Sequence, residues 1–225
     1  MKKSKLIILY ISLLFGLQFP DFDLHIFAFL GHRSIITHGI IVPFFLYRYL
    51  NKRKIINDTL DFAYIGFLLG IALHLCADLF PKAWIGFALI MFPPWIPMGA
   101  PFSIIWLLSN LIIALWLAFK KLKIIEQNKK TRNLVFYSII IIGVIYMIID
   151  SNFISKIILL LVTFPLIWIY GNRGFKFIKK EQKPVKIKKN KKKFFGGFWT
   201  YLIGTLIVIA VILIVILYLI SFISQ

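Results

Sequence analysis

The chain alternates long apolar runs with clusters of Lys and Arg, and this pattern constrains the fold more than any other feature. A helix needs about 20 apolar residues to cross the hydrocarbon core of a bilayer, and roughly 17 is the usual lower limit. The candidate runs near or above that limit are Leu60–Leu79, Phe102–Phe119, Leu134–Ile149, Ile154–Tyr170 and Phe198–Ile223, and the shorter ones are Leu6–Phe19 and Ile35–Tyr49. The sequence therefore predicts an all-α, polytopic transmembrane bundle of about seven helices.

The composition supports a membrane protein over a soluble one. Hydrophobic residues make up 60% of the chain and charged residues only 16%, whereas about a quarter of a soluble protein is charged. A net charge of +19 would suggest nucleic-acid binding in a soluble chain, but here the basic residues lie between apolar runs, so no nucleic-acid partner is expected. The single cysteine, Cys76, excludes a disulfide framework and a cysteine-based zinc site.

The positions of the basic residues predict the orientation. With the N-terminus inside, the cytoplasmic segments are 1–5, 48–59, 120–133 and 171–197, and they contain all but three of the 27 Lys and Arg residues. This asymmetry is what the positive-inside rule requires. We therefore expect a multi-pass protein of the cell membrane (the inner membrane, in a cell with two), with its basic loops against anionic lipid.

The polar residues divide the chain near residue 120. Residues 1–120 contain all four His and most of the acidic residues, whereas the apolar runs of residues 121–225 are almost purely aliphatic and aromatic. We therefore predict a metal-site membrane domain over 1–120, and accessory transmembrane helices with a basic cytoplasmic linker, 171–197, over 121–225. Any chemistry is expected in the first domain.

Seven polar residues converge on one depth of the predicted outer leaflet. They lie near the outer ends of the first three predicted helices, and they are Asp21, Asp23, His25, His32, His38, His74 and Asp78. The i, i+4 spacing of His74 and Asp78 places both side chains on one helix face. Ionisable groups inside a bilayer are costly and usually mark a functional site.

Imidazole and carboxylate groups together are ligands for zinc, with manganese and iron as alternatives. A bound divalent ion lowers the pKa of its water to about 7 and so supplies hydroxide at neutral pH. A carboxylate can ligate the ion, orient a His or act as a general base. Arg33, the only arginine on the predicted outer side, could hold a phosphate or carboxylate. Taken singly, each residue also has a structural interpretation, such as a hydrogen-bonded interfacial His or an Arg that snorkels to lipid headgroups.

Three segments carry a family resemblance. Phe19–Asp23, His32–His38 and Gly70–Asp78 resemble the PD-x-D, HR…THS and G-x3-H-x3-D segments of the membrane-bound metal-dependent hydrolases, in the same order. That family is also described as LexA-binding, inner-membrane-associated hydrolases. The resemblance covers about residues 5–120, and its motifs do not reach the last three predicted helices.

The resemblance implies a metal site, with Thr37 in a supporting role. The residues that it assigns to the metal are Asp21, Asp23, His32, His38, His74 and Asp78. The chain departs from the family pattern at Gly39, where the family has a serine, and at His25, which follows Asp23 by two residues where relatives often have a His directly after the acid. The spacing between His32 and His38 is also one residue longer than the common pattern.

The segment 80–101 is rich in Pro and aromatic residues, so it is too apolar for a water-exposed loop and unsuited to a spanning helix. It is interpreted either as an interfacial or re-entrant cover over the polar residues or as a simple aromatic belt. A cover would indicate a lipid or amphiphilic substrate that enters sideways.

The functional hypothesis is an integral membrane metal-dependent hydrolase of an ester or phosphoester at the outer face. Arg33 would steady the negative charge, and Asp21, Asp23 or Asp78 would act as the base. One alternative is a non-catalytic membrane regulator or anchor that acts through the basic linker. A cation or proton transporter is less favoured, because a transport path needs polar groups on both sides of the membrane midplane.

Overall fold

The computed structural model describes residues 3–25, 29, 31–82, 88–92 and 96–172, and these residues form the predicted all-α architecture. The helices are α1 (Lys3–Gln18), α2 (Phe22–His25), α3 (Ile41–Lys52), α4 (Asp58–Leu79), α5 (Ala100–Ile125), α6 (Lys129–Asp150) and α7 (Phe153–Ile167). A π-helical turn, Trp168–Asn172, follows Pro165 in α7, and a two-stranded hairpin pairs β1 (Met91–Phe92) with β2 (Ile96–Pro97).

Within the described part of the chain, four helices are long and apolar enough to cross a membrane: α4, α5, α6, and α7 with its π-turn. This confirms the class of a membrane protein. At 1.5 Å per residue, the 16 residues of α1 extend about 24 Å and the 12 of α3 about 18 Å, both less than the hydrocarbon thickness. The predicted helix Phe198–Ile223 and all but the first two residues of the linker 171–197 lie outside the described residues.

Helix α4 is the centre of the bundle. Every residue from Leu68 to Leu79 is buried, and α1, α5, α6 and α7 all pack against this helix. Its first turn is capped, because the Asn57 side chain accepts a hydrogen bond from the Leu60 N–H, and Asp58 and Asp61 complement the helix dipole. The central position of α4 buries any polar side chain on its last two turns.

Helix α1 packs unusually closely on α4 through three glycines. A Cβ atom on Gly66 would lie 2.0 Å from the carbonyl oxygen of Leu9, and one on Gly70 would lie 2.1 Å from that of Leu13. From the other side, a Cβ on Gly16 would lie 2.3 Å from a backbone oxygen of α4. Only glycine allows this approach of two backbones, so the register of α1 along α4 is fixed.

The predicted helix over Ile35–Tyr49 needs a correction. Helix α3 begins at Ile41 and extends to Lys52, and the chain ahead of it forms a loop that turns tightly at Ser34. The Ser34 carbonyl accepts hydrogen bonds from the N–H groups of Thr37 and His38, at 3.1 and 2.8 Å. His38 therefore lies in the loop before the helix and not within its first turn.

Part of the segment 80–101 forms the β1–β2 hairpin, which joins this loop. The Met91 N–H donates to the carbonyl of Arg33, and the Ile35 N–H donates to the carbonyl of Met91, both at 2.9 Å. Residues 83–87 and 93–95 of this segment lie outside the described residues. Helices α1 to α7 belong to one compact unit, Met1–Lys176.

Candidate metal centre

Two imidazoles and two carboxylates from different parts of the chain meet at the C-terminal end of α4. Ligand atoms of Asp21, His38 and His74 all lie within 4.8 Å of one another. The Asp78 Oδ2 atom lies 3.2 Å from Nε2 of His38 and 3.4 Å from Nε2 of His74, and the latter atom is 3.7 Å from Oδ1 of Asp21. His38, His74 and Asp78 are buried, whereas the Asp21 side chain is 36% exposed.

These separations fit a tetrahedral ion. Ligands at about 2.1 Å from a tetrahedral zinc lie about 3.4 Å from one another, close to the measured distances. Moreover, the Nε2 atoms of His38 and His74 and the Oδ2 atom of Asp78 have no hydrogen-bond partner among the described residues. Leaving buried polar atoms unsatisfied is costly, and a shared cation at this position would satisfy all three.

The tautomer of His74 is set by α1. Its Nδ1 atom lies 2.8 Å from the carbonyl oxygen of Leu17, which can only accept, so Nδ1 carries the proton. The Nε2 atom then presents its lone pair to Asp78 and Asp21. The glycine packing between α1 and α4 holds the Leu17 carbonyl in place, and therefore an orienting contact of the site depends on helix packing.

His38 is oriented by Asp23. The His38 Nδ1 atom lies 3.3 Å from Oδ2 of Asp23, and the Thr37 hydroxyl donates to the same oxygen at 2.6 Å. With Nδ1 facing a carboxylate, Nε2 is directed towards Asp78. This carboxylate–histidine pairing is the arrangement that commonly fixes metal-binding imidazoles.

Asp23 is a hydrogen-bonding hub in the structure. Its carboxylate is fully buried and also accepts from the Ser34 N–H at 2.9 Å and lies 3.4 Å from Nδ1 of His32. Burial alone would raise the pKa of Asp23, but hydrogen bonds from His32, His38 and Thr37 outweigh it and hold the pKa well below its usual range. Asp23 is therefore an anion, and its carboxylate faces the Nδ1 atom of His38.

Arg33 lies against the other edge of the cluster. Its Nε atom is 3.7 Å from Oδ1 of Asp78, and its side chain is 13% exposed. The backbone of Arg33 is left-handed, with φ of 61°, an uncommon conformation for a residue other than glycine. The Met91 N–H donates to the Arg33 carbonyl, and the guanidinium adds a positive charge beside the Asp78 carboxylate.

Helix α5 braces the loop that carries His38. The Trp106 Nε1–H donates to the His38 carbonyl at 2.7 Å, and the Asn110 side chain accepts from the Ile40 N–H at 3.0 Å. A Cβ at Gly39 would lie 3.0 Å from the Trp106 ring and 3.1 Å from the Asn110 oxygen. A side chain at position 39 would therefore require Trp106 or Asn110 to shift by a few tenths of an ångström.

The structure sorts the predicted site residues into two groups. Asp21, His38, His74 and Asp78 come together, with Arg33 beside them. Asp23 and Thr37 contact His38 from its other side, and His32 reaches the cluster through Asp23. The side chain of His25 is not described.

Sequence reasoning missed the groups that support the two imidazoles. These are the Leu17 carbonyl, Trp106, Asn110 and Tyr146. A backbone carbonyl leaves no signal in a sequence. A lone polar aromatic in an apolar run, such as Tyr146, is a weak signal that could have been followed.

No family model matches the chain, and comparisons with curated proteins and with solved structures give no significant match. The resemblance to the membrane-bound hydrolases therefore depends on the three motif segments.

Proposed function

We propose that this chain is an integral membrane metal-dependent hydrolase that acts on a lipid or another amphiphilic ester or phosphoester. The observation that carries the proposal is the approach of the Nε2 atoms of His38 and His74 to Oδ2 of Asp78 at 3.2 and 3.4 Å. All three atoms are buried, and they lack hydrogen-bond partners within the described residues. Such an arrangement is more easily explained by a cation ligand set than by packing alone.

Zinc is the ion that the ligand set favours, since two imidazoles and a carboxylate at tetrahedral separations are typical of its catalytic sites. Manganese and iron remain the alternatives. When bound, a divalent ion of this kind supplies an activated water near neutral pH. His38, His74 and Asp78 would hold it, with Asp21 at the exposed side of the set.

Arg33 and Asp21 are assigned the roles closest to the substrate. The Arg33 guanidinium, next to Asp78, would hold the negative charge that develops on an ester or phosphoester oxygen. Asp21 is the proposed base, because its carboxylate is the most exposed of the three and the oxygens of Asp23 are already occupied by hydrogen bonds.

An amphiphilic substrate follows from the location of the site. The cluster lies among helices that are apolar enough to cross a membrane, at the end that the charge pattern predicts to face outwards. Helix α3, directly after the His38 loop, exposes Phe45 and Leu46. A lipid could approach such a surface from within the leaflet.

The direct test is hydrolysis by the purified protein in mixed micelles with phospholipids, after loading with Zn, Mn or Mg. We expect release of fatty acid or a phosphorylated headgroup by the wild type and its loss in the His38→Ala/His74→Ala variant. The control is Tyr137→Ala, which removes an exposed ring on α6 and should retain most activity. If the wild type hydrolyses no lipid with any of these metals, the proposal of a lipid hydrolase is wrong.

A further inference from the structure

A side chain of α6 reaches the candidate metal centre from the part of the chain that carries no motif. The hydroxyl oxygen of Tyr146 lies 3.3 Å from Nδ1 of His74, and the two ring centroids are 6.5 Å apart. The His74 Nδ1–H therefore faces two oxygens, the Leu17 carbonyl at 2.8 Å and this hydroxyl. Because the proton of Nδ1 points towards both, the hydroxyl oxygen acts as a second acceptor.

The packing of α6 on α4 places Tyr146 at this position. A Cβ atom on Gly143 would lie 2.6 Å from a methyl carbon of Leu73 and 2.7 Å from one of Leu159. Gly143 and Tyr146 are spaced i, i+3 and so share a helix face. The glycine lets α6 approach α4 next to His74, and the tyrosine follows one turn later.

The turn between α6 and α7 is also bound to the end of α4. The Asn152 N–H donates to the Phe80 carbonyl at 2.9 Å, and Ser151 pairs with Pro81 as an isolated bridge. Tyr146 thus lies between two fixed contacts of α6 with α4, at Gly143 and at this turn. These two contacts together fix the distance between Tyr146 and His74.

We propose that Tyr146 is a positioning residue of the metal centre, so that α6 is part of the site. This inference rests on the proposed metal-dependent function. The hydroxyl is a second acceptor for the Nδ1–H of His74, beside the Leu17 carbonyl, and it holds the ring so that Nε2 faces Asp78 and Asp21. Partners of this kind typically contribute 10- to 100-fold to metal affinity.

The test is a zinc titration of the full-length, metal-stripped protein in detergent, for the wild type, Tyr146→Phe and Tyr137→Phe. Tyr137 is the matched control, because it lies on the same helix and is 48% exposed. We expect Tyr146→Phe to raise the zinc Kd about tenfold, with an unchanged Tm, and Tyr137→Phe to behave as the wild type.

A second readout reports on the imidazole itself. In selectively labelled, metal-free protein, the ¹⁵N chemical shift of His74 Nδ1 should move in Tyr146→Phe and stay in Tyr137→Phe. An unchanged zinc Kd in Tyr146→Phe, in a protein whose wild type binds zinc, would overturn the positioning role alone. If the wild type binds no zinc after loading, the metal centre and this inference both fail.

Discussion

The carbonyl oxygen of Leu17 lies 2.8 Å from Nδ1 of His74, so the last turn of α1 fixes the tautomer of a side chain on α4. The two residues are 57 positions apart in the chain. Their contact depends on the glycines at 16, 66 and 70, which allow the backbones of the two helices to touch. Helix packing and site chemistry are therefore coupled at this point.

Gly70→Ala should disturb both the bundle and the site. The added Cβ would lie 2.1 Å from the Leu13 carbonyl oxygen, a backbone atom that cannot rotate away. Overpacking of this kind typically costs about 1–3 kcal/mol, so we expect a lower Tm in detergent together with weaker zinc binding. The control is Leu14→Ala on the exposed face of α1, which should change neither. A Gly70→Ala protein with wild-type Tm and zinc affinity would contradict the packing argument.

Asp23→Asn should weaken metal binding without removing a proposed ligand. The amide keeps the shape of the side chain but loses the charge that orients His38 through its Nδ1 atom. We expect the zinc Kd to rise about 10- to 100-fold, measured by competition with a chromogenic chelator. Asp58→Asn makes the same change at an exposed carboxylate paired with Lys5, and it should leave the zinc Kd unchanged. Equal zinc affinities in the two variants would show that Asp23 does not contribute to metal binding.

Arg33→Ala should separate catalysis from metal binding. The guanidinium lies beside Asp78 but is not a metal ligand, so bound zinc should remain while kcat for the hydrolysed lipid falls by about 100-fold. Lys82→Ala, which removes an exposed cation shortly after the end of α4, is the control and should retain full activity. Unchanged kcat in Arg33→Ala would show that the charge beside Asp78 has no role in the reaction.

The predicted orientation can be tested by labelling introduced cysteines in a Cys76→Ala background. Lys82 and Gln127 are exposed and lie in connections that follow α4 and α5, at opposite ends of the bundle. In intact cells, a membrane-impermeant maleimide should label Lys82→Cys and not Gln127→Cys, which should react only after lysis. The reverse pattern would place the site on the cytoplasmic side and contradict the positive-inside prediction.

The sequence predicts the coarse architecture, and it predicts that His74 and Asp78 lie close together. Hydropathy predicts the long helices because a helix that crosses a bilayer must be apolar along nearly its whole length. Helices α4, α5, α6 and α7 are all apolar in this way. The i, i+4 spacing of His74 and Asp78 places both on one face of α4, and the structure has them 3.4 Å apart at Nε2 and Oδ2. Local periodicity suffices for a pair on a single helix.

The contacts that each polar residue makes with the two imidazoles could not be predicted in the same way. The position of Asp23 behind His38 depends on the loop that turns at Ser34 and on its pairing with Met91, and neither follows from periodicity. The approach of Tyr146 to His74 depends on how closely α6 packs on α4. Both are tertiary effects, which a pattern of residue types within one segment does not encode.

The most direct test of the account is the metal content of the purified protein. Elemental analysis of the wild type in detergent, beside His38→Ala/His74→Ala, should give close to one zinc, manganese or iron per chain in the wild type and none in the variant. Tyr137→Ala, a control that removes an exposed ring of α6, should keep its metal. A wild type that holds no metal even after loading, or a double variant that holds as much as the wild type, would contradict the proposed centre.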